Sequence, residues 1–189
     1  MSNDNSTPTL TNVTFSGNLA NSQGGGMINY QSSPNLTNVT FYGNIANDTN
    51  GGGGLYNLSS SQPFLRGVIL AGSTNGDCVN GPGGNIAGEY SLIQNSGANA
   101  CGAVHGNNGF IVGQNPKLGT LANNGGFTQT HALLIGSPAI DKVLNNLCPA
   151  EDQRGVTRPL DGNRDGFAYC DIGAFEFPDK FLFLPILVR

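Results

Sequence analysis

The chain has 189 residues, of which 29 are glycine, 38% are hydrophobic and only 11% carry charge, for a formal net charge of −4. That length suits one domain, or one domain with an appendage, and an acidic chain without a basic patch argues against nucleic acid as a partner. High glycine with low charge is also the composition of disordered chains, so a folded state requires a regular apolar pattern.

Such a pattern begins almost at once. The start, Met1-Ser2-Asn3-Asp4-Asn5, is polar and no apolar run follows, so it does not read as a signal peptide. The stretch Leu10-Thr11-Asn12-Val13-Thr14-Phe15-Ser16-Gly17-Asn18 then recurs, 26 residues on, as Leu36-Thr37-Asn38-Val39-Thr40-Phe41-Tyr42-Gly43-Asn44. A degraded copy follows after 29 more, Leu65-Arg66-Gly67-Val68-Ile69-Leu70-Ala71-Gly72-Ser73. Each copy follows a proline (Pro8, Pro34, Pro63), and glycine runs ending in Met27-Ile28-Asn29 and Leu55-Tyr56-Asn57 separate them. Self-similarity at this period marks a repeat architecture.

Within a copy the apolar positions alternate on either side of a polar Asn. Leu10 falls on one short strand and Val13 with Phe15 on the next, with a bend at Asn12. Asn tolerates left-handed backbone, and Asn18 and Asn29 are expected to make further bends. One copy is then about three strands around a closed turn. It cannot bury its own apolar side, so copies must stack. Stacking places Leu10, Leu36 and Leu65 in one column, Val13, Val39 and Val68 in a second, and Phe15, Phe41 and Leu70 in a third. Met27 falls on Leu55, and the amides of Asn12 over Asn38 and Asn29 over Asn57 are expected to stack. This is an all-β, right-handed, single-stranded parallel β-helix, a pectate-lyase-like solenoid. An amphipathic helix is ruled against by dense Gly and Asn and by the absence of three-to-four spacing, and a propeller blade by the short period.

Residues 74–120 read as further, irregular coils, with strand-like pieces at Asp77-Cys78, Asn85-Ile86, Tyr90 to Gln94 and Phe110 to Gly113. Residues 121–177 read as an irregular, disulfide-bonded C-terminal cap. A short helix is expected within Gly136 to Leu147 and a terminal strand over Asp171 to Phe177. The apolar tail, 178–189, is too short to span a bilayer and reads as an extra covering strand or a sorting tag. Charge is uneven: six of the twenty charged residues precede Asp141 and fourteen lie from Asp141 onward.

Four cysteines point to an oxidising compartment. Pairing in sequence order, Cys78 with Cys101 and Cys148 with Cys170, closes two loops of about two dozen residues, each worth ~3 kcal/mol if unstrained. Three pairings are open to four cysteines, and zinc is the rival, though the chain lacks Cys-x-x-Cys spacing. Asp161, Asn163 and Asp165, followed by Gly166, resemble the first half of a calcium loop. Ile172 occupies the twelfth position where a bidentate Glu is expected, so Asp171 would have to substitute. Structural calcium is the only cofactor suggested, and a plain polar turn is the competing reading. Asp152, Arg154, Arg158, Asp171 and Glu176 form either a binding site or, as preferred here, an ion-pair network fastening the cap.

His131 reads as a hydrogen-bonded structural residue rather than a base, His105 carries less signal, and Ser137 reads as a turn or cap because no nucleophile elbow surrounds it. Glycosidases need two carboxylates ~5–9.5 Å apart, yet between residues 5 and 73 the only charged residues are Asp48 and Arg66. The outward positions Thr11, Thr14, Thr37 and Thr40 offer hydroxyls but neither acid nor base. No catalytic residue is assigned. An outward threonine array ordering water, as in ice-binding solenoids, is the minor alternative for this face.

Phe15-Ser16-Gly17-Asn18 and Phe41-Tyr42-Gly43-Asn44, with Gly25-Gly26-Met27 and Gly53-Gly54-Leu55, resemble the Phe-x-x-Asn and Gly-Gly-aliphatic repeats of polymorphic outer membrane proteins. Asn123 to Thr128, Thr130 to Leu134, Gly136 to Asp141, Cys148 to Gly155 and Cys170 to Glu176 resemble secreted bacterial parallel β-helix proteins of the choice-of-anchor Q type. Together these cover nearly the whole chain. The resemblance implies the fold and an export route to the cell surface or exterior, but no activity. The chain is therefore expected to be a non-catalytic C-terminal fragment of an adhesin-like protein, continuing upstream coils of a longer parent. It would act as a stalk or as a weak face for a polysaccharide or cell-surface protein. The alternative is the C-terminal piece of a polysaccharide lyase or glycoside hydrolase whose catalytic coils lie upstream.

Overall fold

Left-handed backbone at fixed intervals turns each short strand into the next. At the first corner stand Asn12 (φ 56°) and Asn38 (φ 50°), then Gly67 (φ 59°) and Tyr90 (φ 46°) in the later coils. At the second corner Gly17, Gly43 and Gly72 all have φ 63°, a conformation that costs glycine least. In the structure, a computed structural model that describes residues 1–178, these corners divide the chain into successive coils. The first holds β1 (Ser2–Asp4), β2 (Thr9–Thr11), β3 (Thr14–Ser16) and β4 (Leu19–Ala20). The second holds β5 (Met27–Tyr30), β6 (Asn35–Thr37), β7 (Thr40–Tyr42) and β8 (Ile45–Ala46). The third holds β9 (Leu55–Leu58), β10 (Phe64–Arg66) and β11 (Ile69–Ala71). The fourth holds β12 (Cys78–Asn80), β13 (Ala87–Glu89) and β14 (Leu92–Ile93), and β15 (Ile111–Val112) adds a last rung.

Every pairing between coils is parallel. Sheet A runs β1-β5-β9-β12, sheet B β2-β6-β10-β13, and sheet C β3-β7-β11-β14-β15. The registers match the repeat: Leu10↔Leu36↔Leu65 in sheet B and Phe15↔Phe41↔Leu70↔Ile93 in sheet C. The chain is thus an all-β parallel solenoid. Leu36, Leu65, Val39, Val68, Phe41 and Leu70 are fully buried, while Leu10, Val13 and Phe15 pack half-buried against them. Phe15 stacks on Phe41 with centroids 4.6 Å apart and planes 3° apart. Burying each such side chain contributes roughly 1.5–3 kcal/mol. The glycine pairs repeat because the corner is tight: a Cβ on Gly26 would meet Gly54 O at 2.6 Å and the Phe41 ring at 2.8 Å.

Two expected bends differ. Asn18 sits beside the corner, and Gly17 makes the turn. Asn29 lies within β5, where its amide faces the interior. There it joins a buried ladder: Asn3 Nδ2 donates to Asn29 Oδ1 (2.8 Å), Asn29 Nδ2 to Asn57 Oδ1 (2.8 Å) and Asn57 Nδ2 to Asn80 Oδ1 (3.1 Å). The amides of Asn12 and Asn38, expected to stack on each other, instead leave the coil and donate to carbonyls of the C-terminal segment.

The end of the solenoid after the fourth coil is closed by residues 95–110, which carry two 3-10 turns, Gly97–Asn99 and Asn107–Gly109. The Cys78–Cys101 disulfide ties this loop to β12, and Cys101, Ala103 and Phe110 complete the core. A hairpin, β16 (Leu118–Ala122) with β17 (Thr130–Leu133), follows. After it the backbone is irregular and held by the Cys148–Cys170 disulfide and isolated bridges. The helix expected near Gly136–Leu147 is a series of turns, broken where Asp141 adopts φ 55°. The strand expected at Asp171–Phe177 reduces to the bridge Val143↔Cys170 at its edge.

Residues 121–178 lie against the outer side of sheet C. Outward residues in register there are Thr14↔Thr40↔Ile69↔Leu92↔Ile111, polar in the first two coils and apolar beyond. Ile69, Ala71 and Leu92 form a second core with Leu133, Ala139, Ile140, Val143, Ile172 and Phe175. The third repeat is degraded because its outer face is also an inner one. Of the apolar tail, 178–189, all but Pro178 lies outside the described residues.

Candidate binding face

Charges concentrate where the C-terminal segment meets the coils. Arg158 pairs with Glu176 at 2.8 Å with both side chains fully buried. Its Nη1 also donates to Asp171 O and its Nη2 to Gly173 O. Glu176 accepts the backbone N–H groups of Leu160 and Asp171. Asp152 pairs with Arg154 at 2.7 Å and accepts the N–H of Glu176. Arg154 stacks 3.5 Å from the Phe175 ring centroid. Asp171 accepts the N–H groups of Asp141 and Phe177. Burial pushes the Asp171 carboxyl well above its usual range, with the neighbouring Glu176 charge adding to it. Burial raises Glu176 too, opposed by Arg158. All five residues face one another or the backbone inside the protein, a fastening arrangement rather than one that presents charge to a ligand.

Of the calcium residues, Asp161, Asn163 and Asp165 do share a loop. Their carboxylate and amide oxygens accept the loop's own N–H groups: Asp165 N donates to Asp161 and Asn163, and Gly166 N to Asp161. Asp171 is not brought to them, since both its oxygens are held in the buried cluster. Among the described residues no three His, Cys, Asp or Glu side chains converge as metal ligands.

His131 is buried, with Nδ1 2.8 Å from Gly119 O and Nε2 2.8 Å from Ser16 Oγ. A carbonyl can only accept, so Nδ1 donates to Gly119 O, and the ring is held between that carbonyl and the Ser16 hydroxyl. Tyr42 packs against the ring at 4.6 Å. Ser16 was not singled out in the sequence, because its partner is 115 residues away. Ser137 holds a turn, donating to Pro116 O and accepting Ala139 N. His105 accepts Val112 N at an exposed site.

The outward threonines divide between two faces. Thr14 donates to Gln153, and Thr40 accepts Ala174 N, so sheet C is taken up by the chain itself. Thr11 and Thr37 lie on sheet B. Hydrogen bonds from residues 121–178 to the coils land on the first corner and on sheet C, and among the described residues none reaches an outward side chain of sheet B. That outer face carries two columns in register: Thr9↔Asn35↔Phe64↔Ala87 and Thr11↔Thr37↔Arg66↔Glu89. Thr9, Asn35, Thr37, Phe64 and Arg66 line a shallow, open groove of about 490 Å³. Arg66 lies 5.1 Å from the centroid of the Phe64 ring and pairs with Glu89 at 2.8 Å. Hydroxyl, amide, one aromatic ring and a neutralised ion pair make a face that can stack an apolar surface and exchange hydrogen bonds with polar groups above it.

No protein-family model matches the chain, and neither a characterised protein nor a solved structure is significantly similar to it. No helix of the described residues is long and apolar enough to cross a membrane.

Proposed function

We propose that the chain is a non-catalytic recognition and spacer segment of an exported, adhesin-like protein, and that the outer face of sheet B binds a glycan weakly. The observation that carries this reading is the groove bearing Phe64, Arg66, Asn35, Thr37 and Thr9 on a rigid sheet face, while sheet C is occupied by the protein's own C-terminal segment. A sugar presents an apolar ring face and a rim of hydroxyls, which matches a half-buried aromatic ring flanked by short polar side chains. Rigid positioning on paired strands reduces the ordering cost of binding. Two disulfides support residence in an oxidising, extracellular setting, as does the likeness of the repeats to exported surface proteins.

The reading is tested on a panel of immobilised neutral and acidic polysaccharides. Saturable binding without release of new reducing ends or unsaturated products is expected. Phe64→Ala is expected to abolish it, and Tyr30→Ala, on sheet A, to leave it intact. Product release by this chain, or binding indifferent to Phe64→Ala, would overturn the reading.

A further inference from the structure

We infer that the Arg66–Glu89 pair makes the sheet B face selective for an uncharged glycan chain over a uronate-bearing one; this rests on the glycan reading above. Among the described residues Arg66 and Glu89 are the only charged outward residues of sheet B, and they stand in register on neighbouring coils. They are joined through Nε and Oε1 at 2.8 Å. No hydrogen bond engages Arg66 Nη1, Arg66 Nη2 or Glu89 Oε2 among the described residues. The pair therefore offers two donors and an acceptor side by side while carrying no net charge.

Vicinal hydroxyls both donate and accept, so they complement such a pair. A carboxylate only accepts: it can reach the Nη groups, but it then stands beside the Glu89 carboxylate, whose charge repels it, and leaves Glu89 Oε2 without a donor. The groove crosses three coils, from Thr9 through Asn35 and Thr37 to Phe64 and Arg66, which spans ~10 Å at about 4.8 Å per coil. The occupant is accordingly an extended neutral oligosaccharide running along the solenoid axis, with one ring over Phe64.

Native affinity electrophoresis of the full chain decides the matter, with hydroxyethyl cellulose and polygalacturonate as the probes and melting by circular dichroism confirming that each variant is folded. The wild type is expected to be retarded by the neutral polymer and not by the uronate. Glu89→Gln keeps an acceptor for Arg66 Nε but frees the cation; it is expected to gain polygalacturonate binding by about tenfold, the equivalent of ~1.4 kcal/mol. Phe64→Ala is expected to lose retardation and Phe64→Tyr to restore it. Wild-type retardation by polygalacturonate equal to or above that by the neutral polymer, or an unchanged preference in Glu89→Gln, would overturn the inference and leave the glycan reading standing. No retardation of the wild type by either polymer, or full retention in Phe64→Ala, would overturn both.

Discussion

Asn57 is the residue on which the interior polar ladder turns. It is fully buried, accepts from Asn29 and donates to Asn80. Truncation removes both bonds and leaves Asn29 Nδ2 without its acceptor, each orphaned buried group costing about 1–3 kcal/mol. Asn57→Ala should therefore destabilise by about 2–4 kcal/mol in urea unfolding, whereas Asn47→Ala, at an exposed turn, should change stability little. Asp77 shows the same economy with a charge. Its oxygens accept the N–H groups of Ser73 and Asn95, yet burial raises its pKa to about 6, the hydrogen bonds opposing only in part. The folded protein thus binds this proton more tightly than the unfolded chain. That contribution is full below the unfolded pKa of about 3.9 and is lost as pH rises through about 6. Between pH 4 and 7 the wild type should lose stability on the order of 2 kcal/mol from this group, and Asp77→Asn should flatten that slope in urea titrations at the two pH values. An unaltered slope would remove the assignment.

At the scale of elements, the repeats and the C-terminal segment differ in how far they were legible. The columns Leu10-Leu36-Leu65 and Phe15-Phe41-Leu70 could be read directly, because a solenoid converts a sequence period into spatial register. The outer attachment of residues 121–178 could not, since it has no period and its partners lie 115–139 residues away. Its trace was present as the failure of the third repeat, where Ile69 stands in the column of Thr14 and Thr40. Asn12 and Asn38 misled for a related reason: their backbone makes the expected bend, but their amides serve a segment invisible at short range. The candidate face was half legible. Thr11 and Thr37 were recognised as outward, while the juxtaposition of Phe64, Arg66 and Glu89 needed the register between coils. Ile69→Thr would make the repeat more regular, yet it places a hydroxyl in a dry core. It should destabilise by about 1–3 kcal/mol and speed limited proteolysis within residues 121–178 before the coils are cut. A more stable or equally resistant variant would contradict the second core.

For the molecule as a whole, the division of labour between its outer faces is the basis of the proposed function. Sheet C is closed by the chain itself through apolar packing and the buried Arg158–Glu176 pair. Sheet B keeps a polar, aromatic-bearing groove across three coils. Hydroxyl-radical footprinting of the full chain, with and without a bound neutral oligosaccharide, tests this division most directly. The account predicts that Ile69, Leu92 and Phe175 are protected in the free protein, that Phe64 is labelled, and that the saccharide protects Phe64 while leaving the fully exposed Phe127 unchanged. Strong labelling of Ile69 and Leu92 in the free protein, or a Phe64 signal indifferent to the saccharide, would contradict it.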